Sequence, residues 1–150
     1  MAAREQPKPI VMIDADVLFA ASASSSEQGA SLLVLRLAEL TLLDAVASEQ
    51  VIVEAERNLA QKLPAVLPTF KLLIARCLRI VPDPTVEELQ PYYGCAHPED
   101  LSILVAAAQA QCQWLVTFNV RHYQPGIADV RVVRPGDFIL HLRDLLTRLT

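Results

Sequence analysis

Apolar and polar positions divide the chain into two alternating kinds of segment. Short apolar runs such as Ile10 to Ile13, "QWLVTFN" and "VRVVRP" are typical of strands that are buried on both faces. Longer segments such as Ala30 to Leu40 and the closing "GDFILHLRDLLTRL" combine helix formers with spaced polar residues, as amphipathic helices do. Strands that alternate with helices predict an α/β sandwich with a mostly parallel central sheet.

Local signals place the elements in between. Leu42 to Ala47 is a predicted second strand, and Ser48 then offers an N-cap oxygen to a helix in "EQVIVEAERNLAQKL". The predicted apolar stripe of that helix consists of Ile52, Ala55, Leu59 and Leu63. A helix in "TFKLLIARC", a short strand in "LRIVPDP" and a helical turn in "VEELQPYYG" follow.

The segment "HPEDLSILVAAAQAQC" carries the clearest helix signal. Pro98 suits the first turn, Glu99 and Asp100 suit the positive end of the helix dipole, and the alanine-rich remainder favours a helix. The serine-rich stretch from Ser22 to Gly29 is predicted to be a mobile loop near the exit of the first strand.

Composition limits the class of protein. The 150 residues suit one domain, predicted over residues 9–150 after a loose lead-in over residues 1–8. An apolar fraction of 53%, without a run long enough to span a bilayer, predicts a soluble protein with no membrane partner. Three cysteines without a CxxC pair indicate a reducing cytoplasm. A net charge of -4 argues against a protein that coats nucleic acid through a generally basic surface.

Polar residues follow two of the predicted strands. Asp14 and Asp16 follow the first strand, Thr117 and Asn119 end a later one, and Asp100 opens the helix that leads into it. Ligands bind parallel sheets outside the carboxyl ends of the strands, so these side chains could converge on one crevice.

Paired aspartates after a first strand occur in more than one class of protein. Phosphatases of the haloacid dehalogenase type use such a DxD, but they also need a lysine for the phosphate and a later acidic pair. The chain has only Lys8, Lys62 and Lys71, and none of them follows a candidate strand with an acidic pair beyond it. A receiver-like signalling domain would also need a lysine after a late strand.

Four segments, in order, resemble PIN-domain nucleases. "IVMIDADVLFAA" resembles their opening strand and turn, and "SEQVIVEAERNL" resembles their third helix, which registers on Glu54. "HPEDLSILVAAAQAQCQWLVTFNVRHY" resembles the segment that supplies Asp100, Thr117 and Asn119. "VRVVRPGDFI" is similar to the last strand and proline-led helix of the branch that includes toxins of bacterial toxin-antitoxin pairs. The resemblance spans Ile10 to Ile139.

The resemblance implies a three-layer α/β/α fold and a metal-dependent ribonuclease that leaves a 5'-phosphate and a 3'-hydroxyl. Asp14, Glu54 and Asp100 would be catalytic and would hold Mg2+ or Mn2+, which prefer oxygen ligands. Asn119 would join this metal site, although many active members carry a fourth carboxylate there. An antitoxin protein and a second copy of the chain are the expected partners. A catalytically inactive PIN-fold binding module is the main alternative.

The other residues near these segments have simpler interpretations. Asp16 is expected to cap a short helix or to hold the Asp14 loop, with direct metal contact as the alternative. Thr117 and Arg121 are candidate substrate contacts. His97, His122 and His141 are expected at the surface or as caps, whereas Trp114 and Phe118 are expected in the core.

Overall fold

Five short runs rich in apolar residues form one sheet. The computed structural model describes residues 8–23 and 29–148. Its strands are β1 (Ile10–Ile13), β2 (Asp44–Ser48), β3 (Arg79–Val81), β4 (Trp114–Val116) and β5 (Arg131–Val133). All four pairings are parallel, and the order across the sheet is β3-β2-β1-β4-β5.

Helices cover both faces of this sheet. They are α1 (Ala15–Ala23), α2 (Ala30–Glu39), α3 (Glu49–Lys62), α4 (Leu67–Cys77), α5 (Val86–Leu89), α6 (Leu101–Gln109) and α7 (Pro135–Arg148). The β1-to-β2 and β2-to-β3 connections step one way across the sheet, and the β3-to-β4 connection steps back. Right-handed crossovers therefore put α1 to α4 on one face and α5 and α6 on the other. The predicted three-layer α/β/α architecture is confirmed.

The central strands explain why their sequences lack polar residues. Val11, Met12 and Ile13 of β1 and Leu115 and Val116 of β4 have no exposed surface, because helices pack on both sides of them. Burial of one such side chain contributes about 1.5–3 kcal/mol. In register, Ile13 lies beside Val116, so the residues that follow β1 and β4 leave the sheet side by side.

Several predicted boundaries were wrong. β2 begins at Asp44, because Thr41 adopts a left-handed turn conformation (φ 62°) and Leu42 remains exposed. Helix α6 begins at Leu101, and residues 98–100 form a turn before it. Ser22 belongs to α1 and not to a loop, and residues 24–28 of the predicted loop lie outside the described residues.

The buried face of α3 also differs from the prediction. Ser48 caps the helix as expected, and its hydroxyl accepts a hydrogen bond from Val51 N–H at 3.3 Å. The residues that this helix buries are Val51, Ala55 and Leu59, whereas Leu63 is 39% exposed just past its end. The helix stops before Pro64, so Leu63 cannot continue the stripe.

Among the described residues, none of the helices combines the length and the apolar content that crossing a bilayer requires.

Candidate active site

Asp14 is the buried centre of the site at the carboxyl end of β1. It is 6% exposed, and its backbone N–H continues the sheet by donating to Val116 O at 3.0 Å. One carboxylate oxygen, Oδ2, accepts hydrogen bonds from the hydroxyls of Thr117 (2.8 Å) and Tyr123 (2.7 Å). The other, Oδ1, accepts from Ala15 N–H at 2.7 Å. The Asp14 carboxylate is therefore held in one orientation by three donors.

Thr117 and Tyr123 are both donors from the buried interior. Thr117 has no exposed surface, so in this structure it holds Asp14 and does not reach a surface where substrate could contact it. Tyr123 is 2% exposed, and burial together with the Asp14 charge raises the pKa of its hydroxyl, which remains protonated as a donor. The sequence analysis missed Tyr123. Its position four residues after the end of the predicted strand gives no local signal for this contact.

Asp16 lies in the first turn of α1 and reaches across to the end of β4. Its Oδ2 accepts from Phe118 N–H at 3.0 Å and from Asn119 Nδ2 at 3.3 Å. Its Oδ1 is buried without a hydrogen-bond partner. Burial and, second, the Asp14 charge raise the pKa of Asp16 to about 6. Asp16 thus ties α1 to the Thr117–Asn119 segment and keeps one carboxylate oxygen unsatisfied.

Asp100 occupies the N-cap position of α6 but its side chain makes no capping hydrogen bond. Its Oδ2 instead pairs with Nδ1 of His122 at 3.0 Å. Burial and, second, the Asp14 charge raise the pKa of Asp100, and the His122 interaction opposes that rise. Because the charge of Asp14 acts on both Asp16 and Asp100, the three carboxylates share one electrostatic environment.

Two chain segments are joined by backbone hydrogen bonds beside Asp100. His97 N–H donates to His122 O at 2.7 Å, and Gly126 N–H donates to Cys95 O at 2.7 Å. The imidazole rings of His97 and His122 stack with centroids 5.3 Å apart. The segment that carries Tyr123 is therefore fixed to the segment that leads into Asp100.

Glu54 lies on α3, half-buried, and is linked to the same region through a second side chain. Gln50 Nε2 donates to Glu54 Oε1 at 2.8 Å and also contacts Glu99 O at 3.2 Å. Within the described part of the chain, no hydrogen bond or ion pair joins Glu54 directly to Asp14 or Asp100. Gln50, which was not among the predicted site residues, links Glu54 to the segment just before α6.

The carboxylate oxygens of this site are the type of ligand that a hard divalent cation prefers. The Asp14 charge raises the pKa values of Asp16 and Asp100, and Asp16 Oδ1 has no hydrogen-bond partner, so positive charge would stabilise this region. In the positions that residues 8–23 and 29–148 adopt, however, no three His, Cys, Asp or Glu side chains come together as a ready-made metal site. A cation would therefore require side-chain adjustments to gather its ligands.

The remaining predicted residues lie at the open side of the site. Asn119 is exposed, and its amide group faces Asp16, while its backbone N–H donates to Thr117 Oγ1 at 3.0 Å. Arg121 is exposed beyond it. Trp114 is buried as predicted, but the prediction that Phe118 belongs to the core was wrong, since it is 44% exposed. Phe118 lies beyond the last residue of β4, outside the part of the sheet that is buried on both faces.

Fold and site together define a class: an α/β/α domain with acidic residues gathered beyond the carboxyl ends of its central parallel strands. A family model for the PIN domain matches residues 10–121, and the chain belongs to that family. No curated protein matches the chain.

Several solved structures share the fold at low sequence identity. VapBC2 from Rickettsia felis, solved bound to a promoter DNA fragment, is similar with a TM-score of 0.62, 18% identity, and coverage of 82% of this chain and 96% of that one. PAE2754 from Pyrobaculum aerophilum is similar with a TM-score of 0.62 and 15% identity, and the match covers 91% of this chain and 96% of that one. VapC20 from Mycobacterium tuberculosis is described as a toxin that cleaves the sarcin-ricin loop. It is similar with a TM-score of 0.57 and 14% identity, and the match covers 81% of this chain and 98% of that one.

Proposed function

We propose that this PIN domain is a metal-dependent endoribonuclease, and that it is the toxin of a toxin-antitoxin pair. The observation that carries the proposal is the Asp14 carboxylate, which two buried hydroxyls hold in place beside the charges of Asp16 and Asp100. Such perturbed carboxylates gathered in one place are typical of functional sites. RNA as substrate is supported by the likeness to VapC20, which is described as cleaving the sarcin-ricin loop.

The residues divide into two roles. Asp14, Glu54 and Asp100 would hold Mg2+ or Mn2+, with Asn119 at the edge of that site. A bound divalent ion supplies charge that polarises a phosphoryl oxygen. Thr117 and Tyr123 position Asp14, His122 positions Asp100, and Gln50 positions Glu54. Arg121 is an exposed cation on the same side and would contact a phosphate of the substrate.

Cleavage of labelled single-stranded RNA by the purified protein tests this function. We expect cleavage with Mn2+ or Mg2+ and none with EDTA, and products with 5'-phosphate and 3'-hydroxyl ends. Asp14→Asn, Glu54→Gln and Asp100→Asn should each abolish it, because each removes charge from the same cation site. Asp129→Asn, which removes an exposed carboxylate elsewhere, is the matched control. Undiminished cleavage by purified Asp14→Asn protein would overturn the assignment.

A second candidate, an inactive PIN-fold module that binds RNA, is favoured by one observation. The described residues present no preassembled three-ligand metal site, and Asn119 supplies no charge. RNA binding without cleavage at any Mn2+ concentration would select this candidate. The haloacid dehalogenase alternative is not retained, because the chain belongs to the PIN-domain family.

The expected partners follow from the same proposal. The toxin role requires an antitoxin, and a small reading frame next to this one, whose product co-purifies with the chain, would identify it. We also expect a homodimer, because large apolar side chains such as Leu40 and Val86 are 67% and 65% exposed. A monomeric mass by light scattering at micromolar concentration would contradict the dimer. A cytoplasmic location accords with this role.

A further inference from the structure

A cavity of about 480 Å³ opens beside the candidate active site. It lies between α1, the start of α2 and the start of α7, and Phe118 forms the wall nearest the carboxylates. The other walls include small residues, among them Ala20, Ala30 and Gly136. Its volume falls in the range of roughly 300–1,000 Å³ that is usual for small-molecule sites.

Phe118 connects this cavity to the acidic site. Its backbone N–H is bonded to Asp16 Oδ2 at 3.0 Å, and its ring is 44% exposed along the cavity. Ala20 lies four residues after Asp16 on α1, on the same face of the helix, about 6 Å further along the axis. The cavity therefore begins within one helical turn of Asp16.

Hydrogen-bond donors surround the cavity. Gly29 gives α2 no side-chain cap, and the first amide N–H groups of any helix have no acceptor within the helix. Arg134 precedes α7 and lines the cavity, and Asp137 in the first turn of α7 adds a single carboxylate. An apolar, aromatic wall with donors at its rim suits a flat ring that carries carbonyl oxygens.

We propose that this cavity binds one nucleobase of the RNA substrate, stacked on Phe118, next to the phosphate that is cleaved. The inference rests on the proposed ribonuclease function and specifies how that site selects its substrate. Unpaired bases commonly stack on aromatic side chains of RNA-binding proteins. Guanine, uracil and cytosine carry carbonyl oxygens that the donors could bind, whereas adenine has none, so we expect a base other than adenine at this position.

Binding of fluorescent single-stranded RNA in EDTA, which prevents cleavage, provides the test. Phe118→Leu should weaken binding by about tenfold to a hundredfold, the range that loss of one base stack produces. Tyr93→Leu removes another exposed aromatic ring that does not line the cavity, and it should leave binding unchanged. Thermal unfolding of both variants checks that the fold is intact.

A scan with one abasic nucleotide moved along the RNA locates the bound base. One position should weaken binding to the wild type and have no further effect on Phe118→Leu, because the lost base and the lost ring belong to the same contact. An adenine placed there should bind more weakly than guanine, uracil or cytosine. The proposal would be overturned if, at every position, the abasic nucleotide weakened RNA binding by the same factor in the wild type and in Phe118→Leu.

Filling the cavity gives an independent test that leaves Phe118 intact. Gly136 lines the cavity and a Cβ there meets no atom within 4 Å, so the larger side chain of Gly136→Leu should take up cavity space and weaken RNA binding as Phe118→Leu does. Gly136→Ala adds only one methyl group and is the control.

Three results would count against the nucleobase cavity in different ways. RNA binding and cleavage that are unaffected by Phe118→Leu and Gly136→Leu would reject the cavity but retain the ribonuclease. Loss of a homodimer or of an antitoxin complex in these variants, with RNA binding unchanged, would make the cavity a protein contact surface and also reject the inference. A wild-type protein that neither binds RNA in EDTA nor cleaves it with Mn2+ or Mg2+ would reject both the cavity and the proposed function.

Discussion

At the scale of single residues, the hydroxyl of Tyr123 has the most direct effect on the site. It is buried and donates to Asp14 Oδ2 at 2.7 Å. Tyr123→Phe keeps the ring and removes only this donor. We expect the free energy of unfolding to fall by about 1.5–3 kcal/mol, the usual contribution of a hydrogen bond to a charged group. Urea denaturation measures this change.

Tyr93→Phe is the matched control for Tyr123→Phe. Tyr93 is 62% exposed, so loss of its hydroxyl should change the stability by less than about 0.5 kcal/mol. Metal affinity separates a positioning role from a purely structural one. If Tyr123 orients Asp14, Tyr123→Phe should weaken Mn2+ binding even at temperatures where it remains fully folded, and unchanged Mn2+ affinity would contradict that role.

Asn119 shows how one neutral residue can tune an acidic site. Its Nδ2 donates to Asp16 Oδ2 at 3.3 Å, whereas an aspartate would place a second negative charge there. Asn119→Asp should therefore destabilise the metal-free protein and tighten Mn2+ binding by about tenfold, or about 1.4 kcal/mol. The wild type should favour Mn2+ over Mg2+, which dehydrates reluctantly. Calorimetric titration of both proteins is the measurement, and equal affinities would mean that Asn119 does not face the cation.

At the scale of secondary structure, the arrangement of strands could be predicted because its signals are local. The apolar runs predicted β1 and β4. Because the strands are parallel, their carboxyl ends lie at the same edge of the sheet. The sequence therefore placed Asp14 and Thr117 in one crevice, and they share a hydrogen bond of 2.8 Å in the structure. The PIN-domain resemblance was confirmed by the family match over residues 10–121.

Contacts that depend on the path of a loop could not be predicted. Tyr123 and His122 lie in a single 3-10 turn, Val120–Tyr123, and no periodicity indicates where such a turn packs. Asp100 was expected in the first turn of the helix, yet it precedes α6 and its side chain pairs with His122. The apolar character of Phe118 suggested the core, but the residue lies past the end of β4, where no strand periodicity indicates its position.

Gly126 makes this loop path possible. Its φ of 87° lies in the left-handed region, and a Cβ there would approach Tyr123 O to 3.1 Å. Gly126→Ala should destabilise the protein by about 1–2 kcal/mol, because a residue with a Cβ is strained in that conformation. It should also weaken Mn2+ binding, because Tyr123 and His122 depend on the same loop. Denaturation and titration measure the two effects.

Gly136→Ala provides the comparison for Gly126→Ala. Gly136 lies in the first turn of α7, where a Cβ meets no atom within 4 Å. Alanine is favoured over glycine in a helix, so this variant should be as stable as the wild type or more stable. Equal destabilisation by the two substitutions would show that the conformation at Gly126 is not what fixes the loop.

At the scale of the whole molecule, the acidic site opposes the stability of the fold. Desolvation and mutual repulsion raise the pKa values of Asp16 and Asp100, and Asp16 keeps one buried oxygen without a partner. Proteins commonly accept such unfavourable arrangements at functional sites. The chain has a net charge of -4, so the rest of the protein surface does not offset this local excess of negative charge.

The destabilisation of the metal-free protein by its acidic site should be visible in the pH dependence of the free energy of unfolding. The pKa of Asp16 is about 6 in the folded state against 3.8 for the unperturbed group, so the folded state binds this proton more tightly than the unfolded state does. The resulting stabilisation is complete below the unfolded pKa and is lost as the pH rises through about 6. Asp16→Asn should remove this loss, and Asp129→Asn should not. Urea unfolding in EDTA between pH 4 and 7 measures the difference, and parallel curves for wild type and Asp16→Asn would contradict it.

Added Mn2+ should stabilise the wild type more at pH 7 than at pH 5, because a cation binds the ionised carboxylates of the folded protein.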